Sequence, residues 1–319
     1  PIFDAWKLQQ MESAHGEALT REKNDPTGNF SIATGKDIIN PPATAIVVGD
    51  QQAIGALSSN IKQLAAFNSS RGITGSDNPL TKQTQGELKS FWAKAPAEQR
   101  LNLLQTFLTS SKGYPSAYKS MVDSIGGTSD SYRLAASIAN RGGYNHVATR
   151  IVKGQMLLEQ KKVNFSTNEA DTATTEYLDG IYRNGTAQYN IYRDSARAYY
   201  AELLQQSEAK KDDKGKYAFD KELYSDALIA VTGGRYIQDN WFGVSNSVLR
   251  PYGVTDKSFR DQLDSFNSLN SRNYGTDRDY FKNLKMVQDQ KTPNRYYFMD
   301  GTKPVRTANN QDILFMTIR

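Results

Sequence analysis

The sequence predicts a mainly α protein, a multi-helix array of short helices with a small antiparallel β element near the C-terminus. Apolar residues recur every three or four positions over most of the chain, and this spacing predicts helices. Glycines, prolines and capping residues close these stretches at short intervals, so the helices should be short. β-branched and aromatic segments after about Lys285 predict the strands.

Residues 1–48 are predicted to hold an N-terminal helix and an extended linker. An apolar stripe with helical spacing runs from Leu8 to Leu19 and predicts a helix over about residues 2–23, which Asp25-Pro26 should end. Glycines and Pro41-Pro42 then interrupt the pattern over residues 27–48. We therefore expect an extended connector there, ahead of the main domain.

Residues 49–232 are predicted to form a helical domain. Thr81 and Asp220 fit N-cap positions, Pro96 fits the first turn of a helix, and glycine pairs stop two other helices. The helices that begin at Thr81 and Pro96 should form a hairpin. Apolar stripes place helices at residues 50–67, 81–92, 96–108, 118–125, 134–139, 147–158, 173–181, 192–206 and 220–231.

Residues 233–319 are predicted to form an α+β C-terminal subdomain. Residues 235–242 look extended, and Thr255 fits the N-cap of a last amphipathic helix. Strands are expected at residues 285–287, 295–299 and 313–318, which would form a three-stranded antiparallel sheet.

Composition argues against several kinds of site. The chain has no cysteine, which excludes disulfides and thiolate ligands, and its two histidines, His15 and His146, lack neighbours at metal-motif spacing. We expect His15 to be a packed or interfacial side chain of the first helix. No phosphate-binding glycine motif follows a strand. We therefore expect no cofactor, no metal ion and no small-molecule substrate.

Charge and hydropathy are moderate. The formal net charge of +5 is spread along the chain, so it does not indicate a nucleic-acid site. The longest apolar runs fall far below the roughly 20 residues of a membrane-spanning helix. Because the sequence opens at Pro1 and its first residues do not resemble a signal peptide, we expect a part of a longer polypeptide.

Glu12, followed by Ser13, is the one weak catalytic candidate. Lytic transglycosylases cleave peptidoglycan with a single glutamic acid, often followed by Ser, whose carboxyl protonates the glycosidic oxygen and then acts as a base. Those enzymes place a Gly-Leu-Met-Gln-like segment about 20 residues later. Here GNFSIAT stands at residues 28–34. We expect Glu12 to be a solvated helix residue, and the enzyme remains the alternative.

The tyrosines and two arginines of one helix need a separate interpretation. Exposed tyrosines and arginines on a helix can stack on bases and bind phosphate, but such tyrosines more often pack at the edge of a core or at a subunit interface. We therefore assign no site to Tyr189, Tyr192, Tyr199 and Tyr200 or to Arg193 and Arg197.

From Arg71 onward the order of segments resembles a domain of large virion proteins of short-tailed bacteriophages, the internal or DNA-ejection proteins. The resemblance spans roughly 250 residues. Its motifs consist of residues typical of helix ends and turns, not of catalytic residues. It is carried by LTK at 80–82, APAEQRLNLL at 95–104, IVKGQMLL at 151–158, VTGG at 231–234 and RPYGV at 250–254. The transglycosylase domain that some members carry is a separate one, so the resemblance leaves open a muralytic parent polypeptide.

This resemblance implies a non-catalytic structural domain that helps deliver the viral genome across the host cell envelope. The implied location is the capsid interior, followed by the host periplasm and envelope. Implied partners are other virion or ejection proteins and further copies of this chain, with phage DNA and the host envelope as additional candidates. A DNA-binding or scaffolding module in the capsid is a further alternative, supported by the mild positive charge.

Overall fold

The computed structural model describes residues 12, 13, 16, 20, 24–73, 77–207, 209–239, 245–277, 280–289, 292, 294–309 and 312–318. Within these residues the chain forms twelve α-helices, a small antiparallel sheet near the C-terminus and a separate two-stranded sheet. The predicted mainly α fold with a C-terminal β element is therefore confirmed.

The chain divides by contact into two compact units, Pro1–Asn140 and Arg141–Arg319. The division into residues 1–48, 49–232 and 233–319 stays a prediction. No helix within the described ranges is long and apolar enough to cross a membrane.

The first unit is helical throughout its described elements. Its helices are α1 Pro26–Thr34, α2 Ala43–Val48, α3 Gln51–Ser70, α4 Lys82–Lys94, α5 Ala97–Ser110, α6 Pro115–Ser124 and α7 Asp130–Ala139.

Helix α5 is central in the first unit and contacts α2, α3, α6 and α7. Its side chains Leu103, Leu104 and Phe107 are fully buried, which explains this central position. Helix α4 makes its main contacts with α2 and α6 instead of forming the predicted hairpin with α5. The extended backbone of Ala95 and Pro96 separates the two helices.

The extended linker predicted over residues 27–48 is wrong, because two helices occupy most of it. Pro26 begins α1 and the Asp25 carboxylate accepts a hydrogen bond from the Gly28 N–H, so residues that predicted a stop form a cap. Gly49, at φ +71°, ends α2 in the left-handed region. The helix predicted over residues 2–23 lies mostly outside the described residues, although Glu12, Ser13, Gly16 and Thr20 are helical.

The second unit begins with four helices: α8 Asn145–Glu159, α9 Thr167–Leu178, α10 Ala187–Gln206 and α11 Lys221–Thr232. Helix α10 packs against α8, α9 and α11. It crosses α8 very closely, because a Cβ atom built on Gly154 would lie 1.6 Å from the carbonyl oxygen of Ala198. Only glycine fits this crossing without a backbone shift. Helix α9 ends at Leu178, before Ile181, where the apolar stripe had predicted its end.

The remainder of the second unit is α+β. Its elements are β1 Arg235–Asp239, β2 Ser245–Leu249, α12 Asp256–Tyr274, the 3-10 helix Tyr280–Asn283, β3 Lys285–Gln288, β4 Arg295–Asp300, β5 Lys303–Pro304 and β6 Phe315–Thr317.

Strand β4 is the centre of the C-terminal sheet. It pairs antiparallel with β3 on one edge, and with β5 and β6 at successive positions on the other. The sheet therefore has four strands where three were predicted, since the two-residue β5 was missed. Strand β2, which pairs with β1, was also missed because its residues SNSVL are mostly polar. Phe259 and Phe281 pack with Tyr296 and Phe298 of β4 in the local core.

Candidate functional site

Glu12, the catalytic candidate from the sequence, lies among the residues that the structure describes, and its side chain is exposed. Most residues around it, including His15, lie outside the described residues. Gly28 to Thr34, which stand where a transglycosylase has its cleft segment, form part of the capped helix α1. In the described residues no group of three or more His, Asp and Glu side chains is placed to hold a metal ion.

The tyrosines of α10 are packing residues. Tyr189, Tyr192, Tyr199 and Tyr200 are all buried, so their faces are not offered to bases or sugars. The Tyr200 hydroxyl accepts a hydrogen bond of 2.8 Å from the Asp220 N–H. Burial raises the pKa of Tyr192 and of Tyr200 above the usual value for a tyrosine. Packing, as expected from the sequence, is what the structure shows.

The two arginines of α10 are held in an ionic network. Arg193 Nε lies 2.9 Å from the Asp194 carboxylate, and the Arg197 guanidinium binds the Asp171 carboxylate of α9. These carboxylates bind the guanidinium groups that would otherwise be available to a phosphate. The ion pair of Arg197 with Asp171 therefore ties α9 to α10. We assign neither arginine a nucleic-acid contact.

A cleft that the sequence did not predict lies where the first turn of α8, the end of α11 and the loop before α12 meet. It has a volume of about 390 Å³. Tyr144 and Tyr252 form its aromatic wall, with ring centroids 5.4 Å apart in an edge-to-face arrangement, and His146 is exposed beside them. Val147 and Tyr199 also line it.

The polar groups of this cleft mostly serve its own structure. The Tyr252 hydroxyl donates to the Ala230 carbonyl at 2.9 Å, and the Arg250 guanidinium donates to the Val254 carbonyl and pairs with Asp256 at 3.0 Å. Burial raises the pKa of Tyr252 well above its usual value. What the cleft offers is aromatic faces, one imidazole and hydroxyls, which are groups typical of binding surfaces.

In the first unit, the segments that carry the phage resemblance contain residues that cap a helix or connect two helices. Thr81 caps α4, and its hydroxyl accepts a hydrogen bond from the Thr84 N–H. Arg100 is buried; its Nε donates to the Ala95 carbonyl at 3.1 Å and its guanidinium lies 4.7 Å from the centre of the Trp92 ring. These contacts fix how α4 is joined to α5.

In the second unit, the resemblance segments have the same character. IVKGQMLL contains Gly154 at the close crossing of α8 with α10. VTGG ends α11 at Gly233, whose φ of +84° suits glycine, and a Cβ on Gly233 would lie 2.7 Å from the Arg250 carbonyl oxygen. VTGG and RPYGV therefore interlock at the cleft.

Comparisons with protein-family models, with curated proteins and with solved structures found no match to this chain.

Proposed function

We propose that this chain is a non-catalytic structural domain of a bacteriophage virion protein that is ejected with the genome and helps deliver it across the host cell envelope. One observation carries the proposal. All five segments of the phage resemblance contain residues that cap a helix, close a helix crossing or interlock two turns. A domain whose recognisable residues maintain its architecture suits a role that depends on shape and packing.

Other ejection proteins and further copies of this chain are the proposed partners. Such proteins would lie inside the capsid and then line or support a conduit in the host periplasm and envelope. The absence of cysteine is compatible with passage through a narrow tail, since no disulfide has to be rebuilt after refolding. Phage DNA and the host envelope are further candidate contacts.

The decisive experiment deletes the region encoding this chain from a phage that carries it. We expect particles that package DNA and adsorb to cells but fail to move DNA into the cytoplasm, measured by DNA entry and by potassium efflux. Normal DNA entry would contradict the proposal. Particles that never assemble would contradict it equally, because they would indicate a role in capsid assembly.

The muralytic alternative rests on Glu12 and is tested separately. A zymogram with the purified chain should show no clearing of peptidoglycan. If clearing occurs and Glu12→Gln abolishes it, the enzyme becomes the leading function.

The DNA-binding alternative rests on the net charge of +5. It requires an affinity for duplex DNA that falls steeply with salt, because bound phosphates release counterions. We expect only weak binding at physiological salt.

A further inference from the structure

Helix α10 carries a buried carboxylate at its contact with α8. Glu202 is 4% exposed. Its backbone nitrogen lies 3.2 Å from the position that a Cβ on Gly154 would take, so the residue sits at the close crossing of the two helices. Burial of this side chain therefore depends on the packing of α8 against α10.

The carboxylate is only partly satisfied in this position. Its Oε1 accepts a hydrogen bond from Gln206, one turn further along α10. Its Oε2 is buried and has no hydrogen-bond partner among the described residues. The Arg150 Nε lies 3.8 Å from Oε2, beyond hydrogen-bond distance, and the Arg150 side chain is itself 35% exposed.

The charges that act on Glu202 come from α8, namely Arg150 and Lys153. Both favour the ionised carboxylate, as does the Gln206 hydrogen bond. Loss of hydration acts in the opposite direction and is larger, so burial raises the pKa of Glu202 above its usual value. An ionised carboxylate with one oxygen that accepts no hydrogen bond costs more at this buried position than the neutral acid, because the neutral group loses less hydration.

We propose that Glu202 makes the packing of α8 against α10 proton-dependent, so that the two helices hold together more tightly in mild acid than at neutral pH. The sign follows from linkage. Since the folded chain holds this proton more strongly than the unfolded chain, the stabilisation is complete below the unfolded pKa of about 4.3. It is lost as pH rises through the folded value. This inference does not depend on the proposed role in genome delivery.

The test compares urea unfolding of the whole chain with that of Glu202→Gln between pH 4.5 and pH 8. Glutamine is a neutral isostere of the protonated side chain. The difference between the two urea midpoints should be smallest at pH 4.5, and the variant should have the higher midpoint at pH 8. Parallel curves, or a variant that is less stable at pH 8, would overturn the proposal.

Glu222→Gln is the matched control, because Glu222 is an exposed glutamate in the first turn of α11. Its midpoint should follow that of the unsubstituted chain at every pH. A second variant, Arg150→Met, removes the nearest cation. When Glu202 is present, Arg150→Met should increase the loss of stability between low and high pH. In the Glu202→Gln background it should not change the pH dependence of the urea midpoint. An equal effect of Arg150→Met on the pH dependence of both backgrounds would contradict the assignment.

Amide hydrogen exchange at pH 8 locates the effect. Amides of α8 and α10 should exchange faster in the unsubstituted chain than in Glu202→Gln, while those of α4 and α5 should not differ. If Glu202→Gln fails to fold, carboxyl ¹³C titration of the unsubstituted chain decides: one glutamate should titrate above the usual range. A full set of ordinary glutamate titrations would refute the inference.

Discussion

The two units of the chain have cores of different chemistry. The largest fully buried side chains of the first unit are mostly aliphatic or phenyl groups with one tyrosine, namely Tyr132, Phe107, Ile46, Leu57 and Ile61. Those of the second unit are all aromatic, and four of them are tyrosines: Tyr189, Tyr200, Tyr224, Tyr296, Phe259, Phe281 and Phe298. Aliphatic side chains need only a site of the right size from which water is excluded, since the hydrophobic effect is not directional. A buried tyrosine also needs a partner for its hydroxyl. The second unit therefore depends on directed hydrogen bonds and on protonated hydroxyls at more positions than the first, where Tyr118 and Tyr132 are the buried tyrosines among the described residues.

Several buried tyrosine hydroxyls of the second unit have defined partners, although that of Tyr182 has none among the described residues. Tyr224 shares a hydrogen bond of 2.9 Å with Thr174, and the Tyr296 hydroxyl donates to the Leu249 carbonyl at 2.7 Å. In the first unit the buried Tyr118 hydroxyl has no hydrogen-bond partner among the described residues.

High pH should have the largest effect. Burial raises the pKa of many tyrosines of the second unit, so the folded form keeps protons that the unfolded chain releases near pH 10. Stability is fully present below that pH and is lost above it, at roughly 1.4 kcal/mol for each pKa unit of each group. The residues concerned are Tyr177, Tyr182, Tyr192, Tyr200, Tyr224, Tyr252, Tyr274, Tyr280 and Tyr296.

We expect tyrosinate absorbance and loss of helical circular dichroism to rise together in one cooperative step above pH 10. Brief proteolysis at that pH should cut the second unit before the first. Gradual tyrosine ionisation with the helices intact, or earlier cleavage of the first unit, would contradict the comparison.

Gly154→Ala should be the most damaging small substitution. Its Cβ would overlap the backbone of Ala198, which cannot move without separating α8 from α10. We expect a loss of about 3 kcal/mol or more in the free energy of unfolding, measured with urea. Gly86→Ala is the matched control, because Gly86 lies inside α4 and a Cβ there would meet nothing within 4 Å. It should stabilise the chain by about 0.5 to 1 kcal/mol. Equal effects of the two changes would show that the close crossing is wrong.

Removing single hydroxyls should have a smaller effect and should differ between the units. Tyr200→Phe leaves the Asp220 N–H without its acceptor and should cost about 1 to 2 kcal/mol. Tyr118→Phe removes a hydroxyl without a partner and should be neutral or slightly stabilising. Urea midpoints of the two variants provide the measurement. A larger loss for Tyr118→Phe than for Tyr200→Phe would reverse the comparison.

Much of the helical architecture could be predicted where an apolar stripe and a cap coincide. Thr81, Asp220 and Thr255 are N-caps in the structure, as expected. The linker prediction failed because Pro42 and Gly49 flank a six-residue helix. Such a helix is too short to form by propensity alone and is held by burial of Ile46, which is a tertiary effect.

The cleft and the buried Glu202 were less predictable than the helices. The cleft combines residues near positions 144–147, 229–233 and 250–255, and no local pattern indicates that these segments meet. Glu202 follows the same logic: a glutamate on a helix predicts an exposed side chain, and only the packing of α8 shows that it is buried. The tyrosines of α10, by contrast, were predicted to pack, because such tyrosines more often lie at the edge of a core or at an interface than on a binding surface.

The proposed function depends on the packing of the helices and not on one catalytic side chain. The most direct measurement compares genome entry for two phages, one with Ala196→Asp and one with Glu12→Gln. Ala196 is fully buried on α10, so a charge there should destabilise the unit by about 1 to 3 kcal/mol or more. Glu12 is exposed. We predict that Ala196→Asp abolishes DNA entry while packaging and adsorption persist, and that Glu12→Gln enters normally. Loss of entry with Glu12→Gln and normal entry with Ala196→Asp would contradict the account.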